Sequence, residues 1–189
     1  MACNLRPFRD YDEHDVINLF ALSEAAGVDV NKGHLVSINT TLKGWLNASG
    51  SADTDPLMLG SVGASFANTV SERYGVYSRV DVCASGGQAL GMMLYDVKET
   101  DENGEQLKFN PRKAAEMEVA LSGQAVPILT RGIVLYSGSQ LITDNPDPGV
   151  ALYSNNVGEL TTTSGGGNVI GRSMGEADSN GHVLVRINL

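Results

Sequence analysis

Two stretches carry the side chains best suited to holding a cation. Asp101-Glu102-Asn103-Gly104 is followed by Leu107, and Asp178-Ser179-Asn180-Gly181 by Leu184; both spell D-x-N-G-x-x-L. Asp and Asn oxygens gathered before a glycine are the raw material of a calcium loop. Such a loop also wants an oxygen ligand two residues earlier and a carboxylate six residues after the glycine. Glu99 and Glu176 meet the first need, but Asn110 and Ile187 stand at the second, and neither offers a bidentate carboxylate. The pair reads better as two tight hairpin turns, with Asn-Gly supplying positive φ angles.

Other chemistries find less to work with. His14, His34 and His182 are dispersed, and none stands beside Cys or another His in a zinc spacing. Cys3 and Cys83 lie far apart and read as free thiols. Gly60-Ser61-Val62-Gly63 is one residue short of a nucleophile elbow, and Gly138-Ser139 lacks the rest of one. The glycines at 86–87 and 165–167 lack the Lys-Ser/Thr of a phosphate loop. Gly171-Arg172-Ser173-Met174-Gly175 opens no expected helix, so it is no dinucleotide fingerprint. Glu116 and Glu118 fall on different faces of a short helix and read as solvated surface. The expectation is a protein that is not an enzyme and uses no cofactor and no metal.

The elements that would position these residues centre on Phe109–Tyr136. Asn110 suits a helix cap and Pro111 the first turn, where a missing N–H costs nothing. Ala114, Met117 and Leu121 form a narrow apolar face, and Gly123 is the expected stop. From Gln124 the spacing predicts one long strand. Val126, Ile128, Thr130, Val134 and Tyr136 share one face; Leu129, Ile133 and Leu135 share the other. A strand apolar on both sides lies inside a sandwich or under a cover. Pro127 places that end at a sheet edge, and Gly132 marks a bulge or a close approach.

The 189 residues fit one domain with an arm, and 42% hydrophobic content supports a core. There are 22 acidic and 13 basic residues, a formal net charge of -9, which argues against a nucleic-acid partner. No apolar run suits a membrane span, and residues 1–20 lack the apolar core of a signal peptide. The sequons at Asn39 and Asn47 then carry no meaning. With 22 glycines punctuating short β-branched runs, the texture is all-β: mainly antiparallel short strands in a sandwich or barrel. One short helix is expected near 110–122, with an extended N-terminal arm over 1–20 and a single β-rich domain over 21–189.

Along the chain, a turn at Asn31-Lys32-Gly33 leads into a strand over His34–Asn39, and Trp45 is a buried anchor. Residues 47–63 read as a polar loop and 64–75 as a short helix. The runs 76–84 and 90–97 are expected as adjacent strands joined by Ser85-Gly86-Gly87, with Tyr77, Arg79 and Asp81 on the polar side of the first. Residues 137–149 read as a stiff loop and Gly165–Gly167 as a flexible tip. Short strands follow at 150–154, 158–163 and 169–170. The alternation from His182 to Leu189 is the cleanest strand signal. The arm is dense in both charges. Leu5, Phe8 and Tyr11 are its spaced apolar anchors; the segment reads either as a frayed terminus or as an arm that orders on a neighbouring subunit, with Arg6, Arg9, Asp12 and Glu13 then expected as rim contacts.

KAAEMEVALSGQAVPILTRGIVLYSG (113–138), NVIGRSMGEADSNGHVLVRINL (168–189) and the glycine-punctuated middle together resemble the capsid decoration (cement) proteins of tailed bacteriophages. The resemblance implies a β-rich virion protein on the outer capsid surface, assembled in the host cytoplasm. It implies a homotrimer that engages the major capsid protein and holds neighbouring capsomers together, without enzyme activity. A trimer touching several lattice positions gains avidity from weak contacts. The alternative is a head or tail appendage binding carbohydrate or a host receptor, which predicts an exposed aromatic patch near Trp45, Tyr74 or Tyr77. A small hydrolase with a site built from loops is a third reading.

Overall fold

Val183, Val185 and Ile187 are fully buried while Arg186 and Asn188 are exposed, which is the period-two pattern of a strand with one face on a core. This strand, Val183–Asn188, is the thirteenth among the described residues and an inner strand of the larger sheet. The computed structural model describes residues 5–7, 15–22, 30–43, 78–122 and 124–189. In order the strands are β1 Leu5–Pro7, β2 Val16–Ile17, β3 Leu35–Lys43, β4 Ser78–Val82, β5 Gly91–Met93 and β6 Asp96–Lys98. After helix α1, Pro111–Glu116, come β7 Val119–Leu121, β8 Ile128–Leu129 and β9 Arg131–Tyr136. Helix α2, Ser139–Asp144, precedes β10 Ala151–Ser154, β11 Leu160–Thr161, β12 Gly171–Ser173 and β13. The fold is all-β, with antiparallel pairing everywhere except β6 with β7.

A six-stranded sheet runs β1-β9-β13-β12-β10-β11 and a five-stranded sheet β2-β8-β5-β3-β4. Leu35, Met92 and Leu129 of the smaller sheet share one core with Val134, Tyr136, Leu152, Val185 and Ile187 of the larger. Val36, Val80, Met93 and Ile128 belong to a second core with Leu22, Val30, Val97 and Val126. The five-stranded sheet is thus buried on both faces, which explains why β5 and β8 are apolar without alternation. Each such side chain contributes roughly 1.5–3 kcal/mol by leaving water.

Several expectations are corrected. The long strand splits at Thr130, with β8 in one sheet and β9 in the other. Thr130 donates both N–H and Oγ1 to the Asp15 carbonyl, at 2.8 and 3.0 Å, and accepts from the Leu189 amide at 3.0 Å. β8 lies between β2 and β5, so Pro127 opens an inner strand, not an edge. β9 keeps unbroken register with β13 through Gly132, without a bulge. Helix α1 has the Asn110 cap (Lys113 N–H to Oδ1, 3.3 Å) and Pro111 in its first turn, but it ends at Glu116. Glu118, at φ 52°, turns the chain into β7. Ala114, Met117 and Leu121 still meet, around Leu107 and Val119.

Strand β3 lies between β4 and β5, so those two are not neighbours, and the run 90–97 divides into β5 and β6 of different sheets. Arg79 is 2% exposed; residue 21 bridges to it, and the Ala21 carbonyl accepts from Val80 N at 3.0 Å. The stiff loop 137–149 contains α2, which buries Leu141. The Gly165–Gly167 tip is packed: a Cβ on Gly167 would collide with the Gly87 carbonyl, and one on Gly86 would stand 2.7 Å from the Gly165 oxygen. Trp45, Tyr74, Tyr77, Gly123, the loop 47–63 and the helix expected in 64–75 lie outside the described residues, as do Phe8, Arg9, Tyr11, Asp12 and Glu13 of the arm.

Candidate functional site

The two D-x-N-G stretches are turns; both oxygens of Asp101 and Oδ1 of Asp178 are engaged within them or by Lys113. Asp101 Oδ1 accepts from the amides of Asn103 and Glu105, both at 2.8 Å, and its Oδ2 is bonded to Lys113 Nζ. Lys113 beside it and the backbone donors hold the Asp101 carboxyl below the usual range, against the effect of burial. Asp178 Oδ1 accepts from Asn180 and His182 amides in the same geometry, also at 2.8 Å. Gly104 and Gly181 take φ of 80° and 74°, whereas Asn103 and Asn180 do not take positive φ. Each turn is therefore a type I turn closed by a glycine bulge, not a two-residue hairpin turn. Asn155-Asn156-Val157-Gly158-Glu159 is a third copy, with Oδ1 bonds of 2.9 and 2.8 Å and Gly158 at φ 78°. Its signal, Asx three residues before Gly, stands in the sequence, but Asn in place of Asp disguises it.

Among the described residues, no group of three or more His, Cys, Asp or Glu is placed to hold a metal. His34 Nδ1 accepts from the Asn31 amide at 3.4 Å, and His182 lies 3.6 Å from Asp178. Burial pushes the Cys83 thiol up, away from the reactive thiolate.

Two surface features remain. The first is the edge of the six-stranded sheet. Leu5–Pro7 pairs antiparallel with Val134–Tyr136 of the same chain, in register Leu5 to Tyr136. Of the arm residues named above, Leu5 and Arg6 fall in this strand. Asp15 is buried and accepts from Arg131 Nε at 2.7 Å, so the chain rejoins the domain before residue 20.

The second feature is the outer face of the same sheet. Arg172 of β12 stands directly opposite Arg186 of β13. Arg186 stands opposite Ile133 of β9, and Arg131 pairs with Asn188, which places Arg131 diagonally from Arg186. Like charges directly across a ladder repel. Two hollows of about 340 Å³ flank Arg186. One is lined by Arg172, Arg186, Val169 and Asn188; the other by Arg131, Arg186, Ile133 and Met174. Arg172 Nη1 donates to the Gly149 carbonyl at 2.9 Å. The Arg186 side chain has no hydrogen bond or ion pair among the described residues.

Comparison with protein-family models, curated proteins and solved structures finds no match to this chain.

The arginine face escapes a reading of the sequence because Arg131, Arg172 and Arg186 come from three strands. Only their registers bring them together. The one signal in the sequence is that Arg186 occupies an outward position of the alternating strand β13.

Proposed function

We propose that this chain is a non-enzymatic virion structural protein that binds the outer surface of a phage head and stabilises contacts between capsomers. Its partners in this reading are the major capsid protein and further copies of itself, as a homotrimer. The observation that supports it is the β1 edge. A three-residue strand at the margin of a sheet, carried by a segment dense in both charges, forms few ladder bonds, so moving it onto a neighbouring chain would break few of them. Strand addition of that kind is a general way to fasten one chain onto another. An acidic chain of net charge -9 would also keep a particle surface soluble.

The test is denaturing gels and cryo-electron microscopy of purified particles. The protein is expected in stoichiometric amounts on the shell exterior, with chain mass in solution corresponding to a trimer. Its absence from the virion overturns the reading. A monomer that instead binds defined sugars on a glycan array points to the appendage reading.

A further inference from the structure

We propose that the arginine face of the six-stranded sheet binds a short acidic segment of a partner polypeptide in extended conformation. This does not depend on the virion reading. The face concentrates positive charge on a chain whose overall balance is acidic. Arg131 is held through Nε by the buried Asp15, yet its side chain stays 59% exposed. Arg172 is held through Nη1 by the Gly149 carbonyl. Two guanidinium groups are thus oriented before any ligand arrives, which lowers the ordering cost of binding. Arg186 lies between them with its charge uncompensated, opposite a like charge. An anion bound between the two would offset that repulsion.

Spacing selects the kind of anion. The hollows lie on either side of Arg186, with directly paired residues about 5 Å apart and diagonal ones about 7–8 Å. In an extended strand, carboxylates at i and i+2 point to one side, about 6.6–6.8 Å apart. One such pair would turn a carboxylate toward each side of Arg186, and Arg receives a carboxylate through a forked hydrogen-bond geometry. Exposed Met174 and Val169 border the hollows and offer apolar contact to the methylene stems of the acidic side chains. A nucleic acid fits less well. Its charge continues beyond the arginines along a chain of net charge -9, whereas a short acidic segment brings charge only where the arginines stand.

The experiment uses the full chain and a fluorescein-labelled peptide of about eight residues, alternating Glu and Thr. Fluorescence anisotropy at about 50 mM salt reads binding. The controls are a Gln/Thr peptide and an oligothymidylate of equal charge. Saturable binding of the acidic peptide is expected, absent for the neutral peptide and weaker for the oligonucleotide. Arg186→Glu is expected to weaken binding at least about tenfold. Arg186→Thr, which suits an exposed strand position, is expected to weaken it in the same direction and serves if Arg186→Glu does not fold. No saturable binding, equal affinity for a folded Arg186 variant, or tighter binding of the oligonucleotide overturns the proposal.

Discussion

The Tyr136 hydroxyl accepts a hydrogen bond from the Leu160 amide at 3.1 Å, with both residues fully buried. The bond links an inner position of β9 to β11, at the far edge of the same sheet. Removing the hydroxyl by Tyr136→Phe keeps the ring but leaves a buried amide without its acceptor. We expect a loss of about 1–3 kcal/mol. For a chain of this size that lowers Tm by roughly 3–10 °C. Urea unfolding and calorimetry check it; an unchanged Tm would mean that this amide finds water.

Gly104 and Gly158 occupy the same turn position with nearly the same φ, 80° and 78°. A Cβ on Gly104 meets nothing within 4 Å, while one on Gly158 meets a Val82 methyl and the Leu35 carbonyl oxygen at 3.2 Å. Gly104→Ala is therefore expected to cost only backbone strain, on the order of 1 kcal/mol. Gly158→Ala adds overpacking, for about 2–4 kcal/mol in all. Chemical denaturation of the two variants side by side separates strain from packing.

The two glycine loops lie back to back. A Cβ on Gly167 runs into the Gly87 carbonyl, and backbone cannot rotate aside as a side chain can. Gly167→Ala is expected to destabilise by about 1–3 kcal/mol. Gly175→Ala meets nothing within 4 Å and is expected to fall within about 0.5 kcal/mol of the parent. Equal stability of the two variants would show that the loops separate without cost.

Asp144 ties α2 to β11. Burial raises its carboxyl, but donors from the Thr162 amide, Gln140, Thr161 and Thr162 outweigh that and hold it below the usual range. Asp101 and Asp178 are lowered as well. The folded chain thus binds these protons more weakly than the unfolded chain. The resulting stability is complete above the unfolded value of about 3.9 and is lost as pH falls through the lower folded values. Lys113 shifts the other way, raised by Asp101. Its contribution is complete below about 10.4 and is lost as pH rises through its folded value. Urea midpoints across pH should fall at both ends, and Asp144→Asn should lower the plateau and flatten the acid limb.

Much of the local structure was legible in the residues. The alternation from His182 onward, the Asn110-Pro111 helix start and the Asx-to-glycine turns depend on bonds among residues a few positions apart. Where a reading failed, two partners far apart in the chain made the decision. Ile128–Tyr136 is apolar on both faces and could serve either sheet; Asp15 and Leu189 bond Thr130 at the break between them. Arg79 is buried although charged, and its backbone is bridged by residue 21, far earlier in the chain. The turn at 85–87 joins β4 to a segment that pairs elsewhere, because β3 inserts between them.

By itself, the sequence determined the strand texture, the turns and the acidic balance, since φ preference, side-chain period and charge belong to each residue and its near neighbours. The tertiary structure alone decided which strands pair and in what register. Ladder bonds between distant backbones are chemically alike, and packing of both cores selects among them. That selection is what sets Arg131, Arg172 and Arg186 on one face.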